Sequence, residues 1–193
     1  MKGDMKLPTK VTLIRVVLSP FFAIAFLGDS LSHKFAALFI AIIFEVTDVL
    51  DGYLARRTRQ VTTFGKILDP FADSISRFTV FLCFLVHGWA HVGMIMIIFY
   101  RDCLVQFIRV HAASGNIIVA ARTSGKIKAV VQGTVIIIVL LLDCANSVFN
   151  FLPPTFPVSS IAWWGMAIVT TVTFASALDY LQGNLEILRK EDY

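Results

Sequence analysis

Charge is in short supply in this chain: only 16% of its residues are Asp, Glu, Lys or Arg. A soluble domain ordinarily carries about a quarter. The shortage argues against a water-soluble globule, and a net charge of +4 gives no ground for a nucleic-acid partner. Cysteine is scarcer still. Cys83, Cys103 and Cys144 are scattered through apolar runs, with neither metal-ligand spacing nor a disulfide framework. They are expected to pack in the core. No internal repeat and no low-complexity linker divides the sequence, so one domain over residues 1–193 is expected. No Ala-x-Ala-like site follows the first apolar run, which argues against a cleavable signal peptide.

Hydrocarbon takes the place of charge. Hydrophobic residues make up 57% of the chain. Apolar runs of about 20 residues, the length that crosses a bilayer as a helix, recur from end to end. The fold expected is therefore all-α: an integral membrane protein with six transmembrane helices. The spans fall near residues 11–28, 35–57, 64–86, 92–113, 126–142 and 160–178. Residues 1–10 are polar and basic, and Pro8-Thr9 there would begin a short interfacial segment. Residues 143–159 carry Pro153, Pro154 and Pro157 and read as a loop, while the last span continues as a polar helix.

The basic residues set the expected orientation. Lys2, Lys6, Lys10 and Arg15, then Arg56, Arg57, Arg59 and Lys66, then Arg109, Arg122, Lys126 and Lys128, then Arg189 and Lys190 fall at alternate span ends. The opposite ends hold Lys34. The positive-inside rule then puts both termini in the cytoplasm. Trp89, Trp163 and Trp164 would form an aromatic belt at the far interface, with His33, His87 and His91 solvated beside it.

One polar stretch interrupts this pattern, from Asp48 to Asp73. Its four carboxylates border or enter apolar runs, where each costs several kcal/mol by order of magnitude. Asp48, Asp51, Gly52 and Ala55 share one helical face, and Asp69 and Asp73 share another. Brought together, the four carboxylates repel and call for a cation. All-oxygen ligands suit Mg²⁺ or Mn²⁺. Gly52 and Ala55 leave the face smooth, and Arg56 can neutralise phosphate. The combination reads as a pyrophosphate–metal site at the cytoplasmic ends of spans two and three. A cation- or proton-coupled transporter is the rival reading. The absence of a repeat and the gathering of the acids at one membrane face argue against it.

The stretch resembles the signature of the CDP-alcohol phosphatidyltransferase family. That signature is Asp-x-x-Asp-Gly-x-x-Ala-Arg, eight positions, then Gly-x-x-x-Asp-x-x-x-Asp, matched here by Asp48, Asp51, Gly52, Ala55, Arg56, Gly65, Asp69 and Asp73. The resemblance implies six membrane helices, a homodimer, and transfer of the phosphatidyl group of CDP-diacylglycerol to an alcohol with release of CMP. It implies two divalent ions held by Asp48, Asp51, Asp69 and Asp73. It further implies a CDP-lipid site at Gly52, Ala55, Arg56 and Gly65, and Asp73 as the general base.

Outside the signature the chain resembles the phosphatidylglycerophosphate synthase branch. The residues concerned are Leu7-Pro8-Thr9-x-x-Thr12-x-x-Arg15, Arg101-Asp102 with Ile108-Arg109, Gly125-Lys126-x-Lys128-x-x-x-Gln132 and Ser176-x-x-Asp179-Tyr180. It departs from that branch at Asp102, where glutamate is usual, and at Ser74, where lysine is usual. The acceptor implied is sn-glycerol 3-phosphate. Arg109, Arg122, Lys126 and Lys128 gather at the same membrane face and suit its phosphate. Inositol 1-phosphate would use them equally, whereas an amino-alcohol such as serine or choline would have less use for them. Glu45, one turn before Asp48, is expected as a supporting carboxylate, and Arg77, one turn beyond Asp73, as a supporting partner of the site or a dimer contact. Arg101 and Asp102 are expected to pair with each other.

Overall fold

The computed structural model describes the backbone of residues 7–58, 63–114, 122–153 and 156–189, and the side chains of residues 12–50, 68, 70–112, 122–153 and 156–184. All the regular structure among these residues is α-helical, with no strand among them. The helices are α1 (Leu7–Phe26), α2 (Leu31–Thr58), α3 (Thr63–Val86), α4 (Val92–Ser114), α5 (Thr123–Phe149) and α6 (Val158–Arg189). Two stretches, Thr123–Phe149 and Val158–Asn184, are long and apolar enough by themselves to cross a membrane.

The helices follow the expected spans, with instructive shifts at their ends. Pro8 and Thr9 form the first turn of α1 rather than a separate interfacial helix; proline is cheap there because the first-turn N–H groups have no intrahelical acceptor. α2 begins at Leu31, ahead of the apolar run, because the Ser30 hydroxyl accepts the His33 N–H at 3.4 Å as an N-cap. α5 runs on to Phe149, past the charge at Asp143 where its span was expected to end. Lys34 of α2 neutralises that charge, its Nζ lying 2.8 Å from Asp143 and 2.9 Å from Ser147. The helix stops at Asn150, which is left-handed (φ 47°) and donates its N–H to the Asn146 carbonyl.

α3 ends in a Schellman turn. Gly88 has φ 76°, its N–H donates to Leu85 O at 3.0 Å, and the Trp89 N–H donates to Phe84 O at 2.8 Å. The turn folds Trp89 inward, onto Phe84 (ring centroids 5.4 Å apart) and Phe26 (5.5 Å). Trp89 is therefore buried in the core and takes no part in an aromatic belt; Trp164, by contrast, is exposed. His87 is not merely solvated either, since its ring lies edge-on to Trp89 at 4.9 Å.

In packing order, α1 lies against α2 and α3, α2 against α5, α3 against α4, and α6 against α4 and α5. Phe22, Phe26, Phe44, Phe81 and Phe84 meet Met166 and Val169 in one core. Cys83 and Cys144 are in that core as expected, but Cys103 is exposed on α4. The outer surface is also apolar: Val17, Ile24, Phe39, Val49, Val86 and Val130 are all more than half exposed.

The Schellman turn gives a direct test. A Cβ at Gly88 would meet nothing, so the cost of Gly88→Ala is the left-handed backbone alone, about 1–2 kcal/mol. Gly93, inside α4 and also facing open space, is the control. Thermal unfolding in detergent should show Gly88→Ala lowering Tm by several degrees and Gly93→Ala leaving it unchanged or slightly raised.

Candidate active site

Three helices bring opposite charges together at one end of the bundle. α2 presents Glu45 and, one turn on, Asp48. α3 presents Asp73 and, one turn on, Arg77. α1 contributes Arg15, which is 1% exposed. Arg15 Nη1 lies 2.8 Å from Asp48 Oδ1 and 3.8 Å from Asp73 Oδ1. Arg77 Nε donates to Asp73 Oδ1 at 2.7 Å, while its Nη2 lies 3.4 Å from Glu45 and 3.9 Å from Asp48. Asp48 and Asp73 therefore converge, as their helical faces require.

The sequence argument that converging carboxylates need a cation is met in part by protein. Two buried guanidiniums sit between Asp48 and Asp73. The carboxylates keep an open side, with the Asp48 side chain 40% exposed and that of Asp73 24% exposed. The side chains of Asp51 and Asp69 lie outside the described residues, as do those of Gly52, Ala55, Arg56 and Gly65. Their backbones belong to α2 and α3, so Asp51 shares the face of Asp48, and Asp69 that of Asp73.

Arg77 also fixes this end of the bundle to α5. Its Nη1 donates to the Ala129 carbonyl at 2.6 Å. Glu45 approaches α5 at Gly133, where a Cβ would collide with the Glu45 carboxylate. A side chain there would have to displace the Glu45 carboxylate, so glycine serves close approach and not a backbone angle.

A cleft of about 210 Å³ opens beside Asp73, between α3, α4, α5 and α6. It gathers all four of the cations expected to take an acceptor phosphate: Arg109, Arg122, Lys126 and Lys128. With Arg101 they make five cations along a wall that has two carboxylates, Asp73 and Asp102. The four are not equivalent. Lys128 is buried and committed to Asp102, with its Nζ 2.8 and 3.0 Å from the two oxygens. Arg122 makes a bidentate pair with Asp179 (2.8 and 2.7 Å), and its guanidinium lies over Gly183, where there is no room for a Cβ. Hydrogen bonding to Asp179 holds that guanidinium above its usual pKa. Arg109 and Lys126 have no ion-pair partner among the described residues, and Lys126 is exposed.

Arg101 and Asp102 do pair, at 3.0 Å, but within a larger knot. Asp102 also accepts from Lys128 and, at 3.4 Å, from the Ser74 hydroxyl, while Arg101 Nη2 donates to Ser176 at 2.9 Å. Arg15 was legible in the sequence only as a basic residue near a span end and as part of the opening motif. The stronger signal was an arginine set inside an apolar run, which demands a buried partner.

A helical bundle with converging carboxylates at one end, beside a cation-lined cleft, describes a site for anionic ligands on a membrane-compatible scaffold. The family profile for CDP-alcohol phosphatidyltransferase matches residues 5–174, and the chain belongs to that family of enzymes. It is 34% identical to the CDP-diacylglycerol–glycerol-3-phosphate 3-phosphatidyltransferase of Bacillus subtilis, over 95% of this chain and 97% of that one. Proteins of the same name from Sodalis glossinidius and Rickettsia felis are 32% and 30% identical, over 92% and 90% of this chain and 94% and 93% of theirs. The fold is similar to that of the Mycobacterium tuberculosis phosphatidylinositol phosphate synthase in its apo crystal structure. The TM-score is 0.54 at 20% identity, covering 91% of this chain and 88% of that one.

Gly133→Ala should push Glu45 from α5 and loosen Arg77 and Asp73 with it. Because a flexible side-chain end gives way and alanine favours the helix, the expected result is a small change in Tm with an activity loss of about ten-fold. Glu45→Gln in the Gly133→Ala background should add little to that loss, because both changes disturb the same contact.

Proposed function

We propose that this chain transfers the phosphatidyl group of CDP-diacylglycerol to sn-glycerol 3-phosphate, giving phosphatidylglycerophosphate and CMP. The observation that carries the reading is one cavity with Asp73 on its wall beside Arg109 and Lys126, cations without an ion pair among the described residues. A base and a phosphate anchor in one small cleft suit an acceptor that has a hydroxyl at one end and a phosphate at the other. The relatives named for this reaction match along nearly the whole chain.

In this reading Asp73 accepts the proton of the acceptor hydroxyl. Its Oδ1 is held by Arg77, and among the described residues nothing donates to Oδ2. The deprotonated oxygen attacks the lipid-side phosphorus, the bond from that phosphorus to the bridging oxygen breaks, and CMP leaves. Arg77 and Arg15 fix the carboxylates before substrate arrives, so positioning and electrostatics supply most of the acceleration. Gly52, Ala55, Arg56 and Gly65 bind the CDP moiety. Arg109 and Lys126 take the acceptor phosphate; Lys128 and Arg122, already paired, shape and charge the cleft.

The donor set suits a hard divalent ion, because Asp48 and Asp73 already converge and offer only oxygen. Asp48, Asp51, Asp69 and Asp73 would hold Mg²⁺ or Mn²⁺, two ions in all, which supply neutralisation of the pyrophosphate charge when bound. The apolar outer surface supports all six helices as spans of the cytoplasmic membrane. The placement of basic residues supports an active site and both termini on the cytoplasmic side. The family resemblance supports a homodimer as the working assembly.

The test is CMP release by the purified protein with CDP-diacylglycerol and Mg²⁺, offering glycerol 3-phosphate, inositol 1-phosphate, inositol or serine separately. Release with glycerol 3-phosphate alone is expected; release with a different acceptor alone would overturn the acceptor assignment. Asp73→Asn should lower turnover by about 10²–10⁴-fold while CDP-lipid binding persists. Arg109→Gln and Lys126→Gln should each raise KM for glycerol 3-phosphate about ten-fold, the loss of one hydrogen bond to a charged group. An unchanged KM would move the acceptor site elsewhere.

A further inference from the structure

Tyr180 of α6 carries a hydroxyl for which the described residues supply no hydrogen-bond partner. The residue is 2% exposed and packs against Val105 and Ile108 of α4. The same residue borders the cleft that holds Arg109, Arg122 and Lys126. Arg101, which also borders the cleft, has a buried Nε in the same condition, although its Nη1 and Nη2 are both bonded. A buried donor without an acceptor is costly, and folded proteins rarely leave one unmet without a use for it. Two such donors on residues that line one cationic cleft call for a ligand rich in acceptor oxygens.

We infer that the Tyr180 hydroxyl is a specificity-determining contact of the acceptor subsite, donating a hydrogen bond to a phosphate oxygen of the acceptor alcohol. This rests on the acceptor reading given above. The cations draw any anion to the cleft, but charge has little direction. A phenol fixed between α4 and α6 adds a directed donor, and a site built to hydrogen-bond a group discriminates sharply against ligands that lack it. Tyr180 thereby favours phosphorylated acceptors over inositol or serine.

Tyr180→Phe in the full-length protein tests this, because it removes the hydroxyl and keeps the ring. With no hydrogen bond to a described residue to lose, the variant should melt at or slightly above the wild-type temperature. The rise in Tm that inorganic phosphate gives the wild type should shrink in the variant. KM for glycerol 3-phosphate should rise about ten-fold, with KM for CDP-diacylglycerol within about two-fold of wild type. A gain or tie in stability joined to a loss of phosphate binding is a pattern that a structural hydrogen bond does not produce. A lower Tm with both KM values raised would make the hydroxyl structural and overturn the inference. So would an unchanged phosphate response. If the wild type releases no CMP with glycerol 3-phosphate, the reaction reading fails, while the phosphate-dependent Tm still decides the role of Tyr180.

Discussion

Arg77 holds Asp73 at 2.7 Å, touches Glu45 on α2 and donates to the Ala129 carbonyl on α5. Through one guanidinium, three helices take up fixed positions around a carboxylate. The arrangement is possible because a guanidinium is planar, permanently charged and offers five donors in a fixed fork; a lysine would meet one or two of these partners at best. It also carries a hazard, since removing a partner from a buried charge leaves the charge unmet. The surroundings reflect that constraint. Arg15 shares the load of Asp48 and Asp73 from α1, and Gly133 clears the space that lets Glu45 reach α5. Convergence of carboxylates at this end of the bundle depends on these contacts.

The cleft beyond Asp73 follows the same logic with different bookkeeping. Five cations would repel one another if all were unpaired. Two carboxylates that the site chemistry does not need, Asp102 and Asp179, tie down three of them: Asp102 holds Lys128 and Arg101, and Asp179 holds Arg122. What remains unpaired among the described residues is a small cationic surface, Arg109 and Lys126, on a rigid wall. Division of labour between cations that build and cations that bind explains how a cleft stays both ordered and attractive to phosphate. The knot around Asp102 also gives a physical place to Ser74, which donates to the same carboxylate. Both positions at which the chain departs from the branch it resembles therefore lie in one local structure.

Much of this architecture was legible in the sequence. The recurrence of apolar runs placed six helices, and their centres agree with the helices observed. The ends were harder. α2 starts early because Ser30 caps it, and α5 runs long because a lysine 109 positions away neutralises Asp143. No window of local sequence contains that lysine. Trp89 was misplaced for a related reason. A tryptophan near a span end is ordinarily interfacial, but the left-handed Gly88 turns this one into the core, where Phe26 and Phe84 receive it.

By itself the sequence determined the helical class, the pairing of acidic residues on helical faces and the family signature. All three depend on spacing along the chain, and a helix converts spacing into direction by a fixed rule. Which partner each charge would find was decided by the tertiary structure alone. Four cations looked alike as residues near one membrane face. Packing of α4, α5 and α6 committed Lys128 to Asp102 and Arg122 to Asp179, and left Arg109 and Lys126 with no ion pair among the described residues. The same packing buried the Tyr180 hydroxyl with no hydrogen-bond partner among the described residues, while packing of α1 against α2 and α3 turned Arg15 from a flanking charge into a bridge between carboxylates. Such pairings join residues far apart in the chain, and they exist only once separate helices have come within hydrogen-bonding distance.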